Sequence, residues 1–236
     1  MIHAIRSNKA GRNFRDSTDW RSLFEASEDS LTSSVFGHLA YLPPALLWPL
    51  FQEAVHCFVM PGEDQFTALK SYEFWPRWNA YNTRNVRNVE PDVFIRTEAF
   101  DLIIEAKRYD YNQQDSAQWH DQLQAYLNDY GDENRPVLLL AIGGIYSGDE
   151  QPTTISCGGR EAIVYKCRWL NLLNSIQDLR KKLETGQDHI GNILTDIVHG
   201  FGLHGYTTRP LLSTLPLPLR PLQYGVGLQL FLIASS

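Results

Sequence analysis

Helices layered over a mixed β-sheet, an α/β fold, are what this sequence predicts, and three observations predict it. The hydrophobic periodicity changes along the chain from helical to strand-like and back, in the order helix, strands, helix, strand, helix. Two stretches, FDLIIEA and PVLLLAI, are too continuously apolar for a surface strand and read as buried β-strands. The chain of 236 residues, with 43% hydrophobic and 20% charged residues, is long enough to bury a sheet between helices in one domain.

The first seventeen residues carry Arg6, Lys9, Arg12 and Arg15 with no acid before Asp16, and read as a flexible basic arm on a single domain spanning 18–236. From residue 18, Trp20, Leu23 and Phe24 fall at helical spacing. Leu31, Val35, Leu39 and Leu42 follow on one face until Pro43 and Pro44 stop the pattern, so two short helices open the domain. An apolar segment runs to about Met60. After a PGED turn, SYEFWPRW reads as a strand, and a polar link containing Arg84 and Arg87 leads to PDVFIR and FDLIIEAKR, two β segments joined by TEA in a hairpin. Residues 113–130 form a helix closed by Gly131, and RPVLLLAIGG a buried strand bounded by Pro136 and Gly143–Gly144. EAIVYKCRW is a further strand, followed by two amphipathic helices, LNLLNSIQDLRKKLE and HIGNILTDIVHGF. A proline-punctuated tail ends in GVGLQLFLIAS, read as a terminal strand that joins a sheet or a homodimer interface.

A formal net charge of −6 argues against a surface that wraps nucleic acid throughout, so a polyanion must be met by a local basic patch. Three cysteines, Cys57, Cys157 and Cys167, are odd in number and lack CxxC spacing, which suggests neither a disulfide framework nor structural zinc. No apolar run has the length of a signal peptide or a membrane span, and the expectation is a cytoplasmic protein without membrane contact.

The residues that demand a chemical explanation lie in EPDVFIRTEAFDLIIEAKR. Alternation along a strand puts Asp101, Ile103, Glu105 and Lys107 on one face and Leu102, Ile104 and Ala106 on the other. Asp92 lies on the partner strand of the hairpin. Two carboxylates from paired strands can hold one hard cation, Mg²⁺ or Mn²⁺, through oxygen ligands. An ammonium beside them can orient or deprotonate a water, or neutralise charge on a phosphate.

Pro91–Asp92, twelve intervening residues and Glu105–Ala106–Lys107 resemble the PD-(D/E)-x-K signature of the restriction-endonuclease-like nuclease superfamily. The resemblance implies an αβββαβ core over about residues 20–145, with a C-terminal extension over about 146–236. It also implies Mg²⁺-dependent hydrolysis of DNA phosphodiesters, in prokaryotic restriction, repair or anti-phage defence. Gln122-x-x-x-Tyr126 is similar to the QxxxY element in the helix after the signature in helicase-associated nuclease domains. Gln118, Gln122 and Tyr126 recur every four residues along one helix face, suited to hydrogen-bond substrate phosphate or to hold the lysine. Members of the superfamily add an acidic residue from the first helix to the metal shell. Glu25, Glu28 and Asp29 are the candidates, and Glu28 is preferred. Three cysteines do not match the four of an iron–sulfur cluster, so none is expected.

Taken singly, these residues have plainer readings: Asp92 as a turn cap, Glu105–Lys107 as a solvated ion pair, Tyr126 as packing. Their conjunction favours catalysis by Asp92, Glu105, Lys107 and Gln122, metal binding by Asp92, Glu105 and Glu28, and substrate contacts by Gln118, Tyr126, Arg84 and Arg87. Arg77, Arg84 and Arg87 flank the strand leading to Asp92, where a phosphate backbone would run. His38 and His120 lack partners at ligand spacing. Trp75, Trp119 and Trp169 read as packing anchors. The segments SGDEQP and SCGGRE read as loops. The alternative in a different class is a nuclease-fold subunit that binds or assembles without cleaving. The retention of all three charged residues opposes it. DNA and a protein partner, a second copy included, are the expected partners.

Overall fold

The computed structural model describes residues 20–55, 60, 61, 66 and 68–208. The basic arm, Cys57 and the terminal strand expected from the sequence lie outside them. Among the described residues three helices come first: α1 (Trp20–Ala26), α2 (Glu28–Leu39) and α3 (Pro44–Ala54). Ser27 caps α2, its side chain accepting the Ser30 amide at 3.2 Å. Helix α2 ends at Leu39, before Leu42 and the Pro43–Pro44 pair are reached, and Pro44 occupies the first turn of α3, where a missing N–H costs nothing. The apolar segment expected to follow is therefore a helix.

Strands β1 (Leu69–Phe74), β4 (Val93–Thr97), β5 (Asp101–Ala106), β6 (Val137–Ile142), β7 (Thr153–Cys157) and β8 (Arg160–Cys167) form one six-stranded sheet in the order β1-β4-β5-β6-β8-β7. The sheet is mixed: β4 runs antiparallel to β1 and β5, while β6 is parallel to β5 and β8. The expected hairpin is present, with Val93 opposite Ile104 and Arg96 opposite Asp101. Two more strands, β2 (Trp78–Asn79) and β3 (Asn88–Val89), pair separately. SYEFWPRW is thus not one strand, because the backbone breaks at Trp75, whose φ of 46° lies in the left-handed region.

Helix α4 (Ser116–Tyr130) starts three residues later than the sequence suggests, capped by Asp115, which accepts the Ala117 amide at 2.9 Å. Gly131 is right-handed at φ −58° and continues into a short 3₁₀ turn, and the left-handed residue is Asn134. Downstream, β7 and β8 form a hairpin across Gly158–Gly159, so of the SCGGRE segment read as a loop only the two glycines turn, and the preceding TTISC, not singled out from the sequence, is a strand. Its alternation of short polar side chains gives little apolar signal. The sheet therefore runs past residue 145, with α5 (Trp169–Lys182) and α6 (Asp188–Leu203) following it.

Alternation sorts the strands into two cores. Val93, Ile95, Leu102, Ile104 and Ala106 face α2, α3, α5 and α6, in a layer with Trp48, Trp169 and Phe201. Phe94 and Ile103 face α4, in a smaller layer with Trp78, Leu123 and Tyr126. Each buried side chain of this size contributes roughly 1.5–3 kcal/mol. Asp101 and Glu105 share the α4 face with Ile103 and are 0% and 3% exposed, so α4 must offer them polar partners.

The end of β6 passes unusually close to β5. A Cβ built on Gly143 would lie 2.3 Å from the Lys107 carbonyl oxygen and 2.6 Å from Trp169 Nε1, and its φ is +69°. Gly143→Ala should therefore destabilise the protein by about 1–3 kcal/mol, read as a lowered midpoint in chemical denaturation. A second expectation concerns acid. His204 is 4% exposed, its ring lies 4.9 Å from that of Phe24, and burial followed by the Arg108 charge pushes it down to about 4. A pKa depressed on folding contributes stability that is present above the ordinary value of about 6.5 and is lost as pH falls towards the folded value. Denaturation midpoints should fall between pH 6.5 and 4, and the difference between wild type and His204→Gln should shrink across that window. A pH-independent difference would contradict the buried neutral imidazole.

Candidate active site

Asp92 sits just before β4 and is 8% exposed. Its Oδ2 accepts the Ala106 amide at 2.7 Å, and its Oδ1 accepts the Trp75 indole N–H at 3.2 Å. The left-handed turn at Trp75 that ends β1 also lets its amide donate to the Asp92 carbonyl at 3.1 Å. Trp75 thus orients a carboxylate, a role beyond the packing the sequence suggested, which no local signal announces. Burial first, and the negative charge of Glu105 second, push the Asp92 carboxyl up to about 7, against the opposing pull of the Ala106 amide and Lys107.

Glu105 receives three side-chain donors. Lys107 Nζ and Gln118 Nε2 donate to Oε1, the latter at 2.7 Å, and Gln122 Nε2 donates to Oε2. The expected glutamine stripe therefore faces the charged strand, and both its amides hold the carboxylate rather than the lysine. Burial pushes Glu105 upward while Lys107 and Gln122 pull it back. For Lys107, burial favours the neutral amine, but the charges of Glu105, Glu28 and Asp92 outweigh it and raise the pKa. The ammonium is thereby held against the carboxylates it faces.

Glu28, the first residue of α2, completes the cluster. Its Oε2 accepts the Arg108 amide at 2.7 Å and its Oε1 lies 3.8 Å from Lys107 Nζ. Of the three acids considered in the first helices, Glu28 brings its carboxylate to this strand end, and Glu25 meets Arg108 through its backbone carbonyl, which accepts Nη2 at 2.6 Å. Gln114, which the sequence did not single out, donates through Nε2 to the Gly143 carbonyl at 3.1 Å and the Glu105 carbonyl at 3.3 Å, tying the loop after β5 to the end of β6.

Other expected site residues are engaged elsewhere. Tyr126 is 1% exposed and donates through its hydroxyl to Asp101 Oδ2 at 2.9 Å; Asp101 also pairs with Arg96 and Arg135. The substrate contact expected of Tyr126 is corrected to a structural one, at the opposite end of β5 from Glu105. Arg84 donates through Nε to Asp121 Oδ2 at 2.6 Å and lies 3.3 Å from Asp115 Oδ2, so its charge is already balanced. Arg77 pairs with Glu90, and Arg87 is exposed in the segment between β2 and β3. Arg84, Glu90, Asp115, Asp121, Gln118 and Gln122 line a polar cleft of about 190 Å³ that reaches the cluster through its two glutamines. His38 and His120 each bond a carbonyl of their own helix.

Among the described residues no three His, Cys, Asp or Glu side chains are already gathered as ligands around one point. The donor set nevertheless fits a divalent cation in two ways. Glu28, Asp92 and Glu105 crowd about a single ammonium, and the repulsion between Asp92 and Glu105 is what a bound dication would relieve. Gln122 Oε1 is a buried acceptor with no donor beside Glu105, which a water held by such a cation would satisfy.

No family model matches the sequence. In structure the chain resembles one in the refined half-complex of a tetradecameric assembly of Thermococcus gammatolerans McrB AAA+ hexamers with bound McrC, at a TM-score of 0.29 and 8% identity. The match covers 54% of this chain and 28% of the other. Among the described residues no helix is long and apolar enough to cross a membrane. In sequence the chain is 31% identical over 212 residues to the uncharacterized protein PM0110 of Pasteurella multocida (strain Pm70), covering 84% of this chain and 75% of that protein, and it belongs to the same family.

Proposed function

We propose that the chain is a divalent-cation-dependent deoxyribonuclease of the restriction-endonuclease-like type, hydrolysing phosphodiester bonds in the cytoplasm. The observation that carries this reading is the meeting of Asp92 and Glu105, from neighbouring antiparallel strands, with Lys107 and the helix-borne Glu28 in one cluster. The order of helices and main-sheet strands supports it: with α3 added after α2, and the separately paired β2 and β3 set between β1 and β4, the chain runs α2, β1, β4, β5, α4, β6, the αβββαβ sequence that the signature implies.

Glu28, Asp92 and Glu105 would hold the cation, Mg²⁺ or Mn²⁺, with Gln118 and Gln122 fixing the Glu105 carboxylate and Trp75 fixing that of Asp92. A cation bound there supplies Lewis-acid polarisation of the phosphoryl oxygen and acidifies a bound water. Lys107 lies at the end of β5, 16% exposed, and its fixed positive charge offsets the negative charge that grows as a water oxygen joins phosphorus and a sugar oxygen leaves.

Calorimetric Mn²⁺ titration beside a DNA cleavage time course tests the division of roles. Asp92→Asn and Glu105→Gln each exchange a charged ligand for an amide, so both should bind Mn²⁺ more weakly and lose cleavage. Lys107→Met removes a charge that repels the cation. It should bind Mn²⁺ at least as well as wild type and cleave slower by roughly 10²- to 10⁴-fold. Full cleavage by Lys107→Met, or undiminished Mn²⁺ binding by both carboxylate variants, contradicts the reading.

A further inference from the structure

The loop that leaves the active-site strand ends in two exposed aromatic rings. Tyr109 and Tyr111 are 42% and 52% exposed, and their rings stack with centroids 5.3 Å apart and planes 15° from parallel. The guanidinium carbon of Arg108 lies 5.0 Å from the Tyr109 centroid. Cation, ring and ring form a short column. Tyr111 ends it, with no further ring or cation stacked on it among the described residues.

The column is held rigidly to the active site. The Tyr109 amide donates to Gln113 Oε1 at 2.8 Å, and its carbonyl accepts the Gly144 amide. Asp110, between the two tyrosines, accepts the Trp169 and Leu170 amides at 2.8 and 3.2 Å and so caps α5. Arg108, at the base of the column, donates its amide to the same Glu28 carboxylate that approaches Lys107. Single exposed tyrosines are ordinary on a protein surface. A parallel, cation-backed pair on an anchored backbone is a flat π surface whose ordering cost is already met in folding.

We propose that the Tyr109–Tyr111 column seats an unpaired base of single-stranded DNA beside the scissile phosphate, so that the enzyme acts on single strands or frayed ends; this rests on the nuclease reading above. Base–aromatic stacking is tolerant of sequence because every base offers a π-face, whereas a base inside a duplex has both faces covered by its neighbours. The spacing agrees. Tyr109 and Tyr111 follow Lys107 by two and four residues, at most roughly 7 and 14 Å along the chain, or about two to four stacked base steps at 3.4 Å.

The experiment measures equilibrium binding in EDTA, where the proposed hydrolysis is off, of a fluorescent single-stranded oligonucleotide and the duplex of the same sequence. Wild type, Tyr111→Ala and Tyr111→Phe are compared, and Mg²⁺-dependent cleavage by wild type is assayed in parallel. Tyr111→Ala should weaken single-strand binding by roughly 5- to 150-fold with duplex binding unchanged, and Tyr111→Phe should restore it. An oligonucleotide series with one abasic position moved along the strand should contain one position at which wild type and Tyr111→Ala bind equally. Equal single-strand affinity of wild type and Tyr111→Ala overturns the proposal, as does equal loss of single-strand and duplex binding, or no binding by wild type. If those results accompany Mg²⁺-dependent cleavage, the nuclease reading stands without the base seat. If the Tyr111-dependent preference is present without cleavage, the base seat stands and the nuclease reading falls.

Discussion

The ion pair between Lys107 and Glu105, set among carboxylates that outnumber it, is the interaction on which the rest of the site depends. Glu105 is 3% exposed in a strand whose neighbours are Ile103, Ile104 and Ala106. Burying a carboxylate there costs several kcal/mol before any partner is counted, and one ammonium offsets that only in part. Asp92 adds a second buried charge close enough to push against the first. A fold built for stability alone would place apolar side chains at both positions, so the pair points to chemistry.

Much of the remaining architecture serves that arrangement. Helix α4 turns its amide side chains onto Glu105 and, a turn further on, its tyrosine hydroxyl onto Asp101, so one helix face satisfies both buried acids of β5. The parallel pairing of β6 places Ile142 where its carbonyl accepts the Lys107 amide at 2.7 Å, and Gly143 leaves room for Trp169 to donate its indole N–H to the Lys107 carbonyl at 2.5 Å. The segment after β6 is therefore part of the site's support. Asp110 caps α5, and the Tyr206 hydroxyl donates to the Arg108 carbonyl at 2.9 Å. The loop leaving β5 is clamped by the start of α5 and by the segment that follows α6.

The sequence disclosed the features that depend on local period. Alternation of charge and apolar side chains over 101–107 placed Glu105 and Lys107 on one face, and the four-residue recurrence of Gln118, Gln122 and Tyr126 placed those three together. It could not disclose features set by distant partners. The hydroxyl of Tyr126 goes to Asp101 because the later turns of α4 lie over the start of β5, and the spacing of the stripe carries no information about that placement. Arg84 looked free because Asp115 and Asp121 lie thirty-odd positions away. The left-handed backbone at Trp75 has no sequence mark, since bulky residues rarely adopt it. A chain read locally gives the charged residues, and the sheet order then decides which of them meet.

A crystal soaked in Mn²⁺ and measured near the manganese absorption edge addresses the cluster most directly. The account requires an anomalous peak bridging the carboxylates of Asp92 and Glu105 at about 2.0–2.3 Å from their oxygens, with Lys107 Nζ displaced from Glu105 and Gln122 Oε1 bonded to a water on the cation. An ordered Lys107–Glu105 pair unchanged at millimolar Mn²⁺, with no peak between the two strands, would show that the charged strand holds no cation and would remove the basis for hydrolysis at this site.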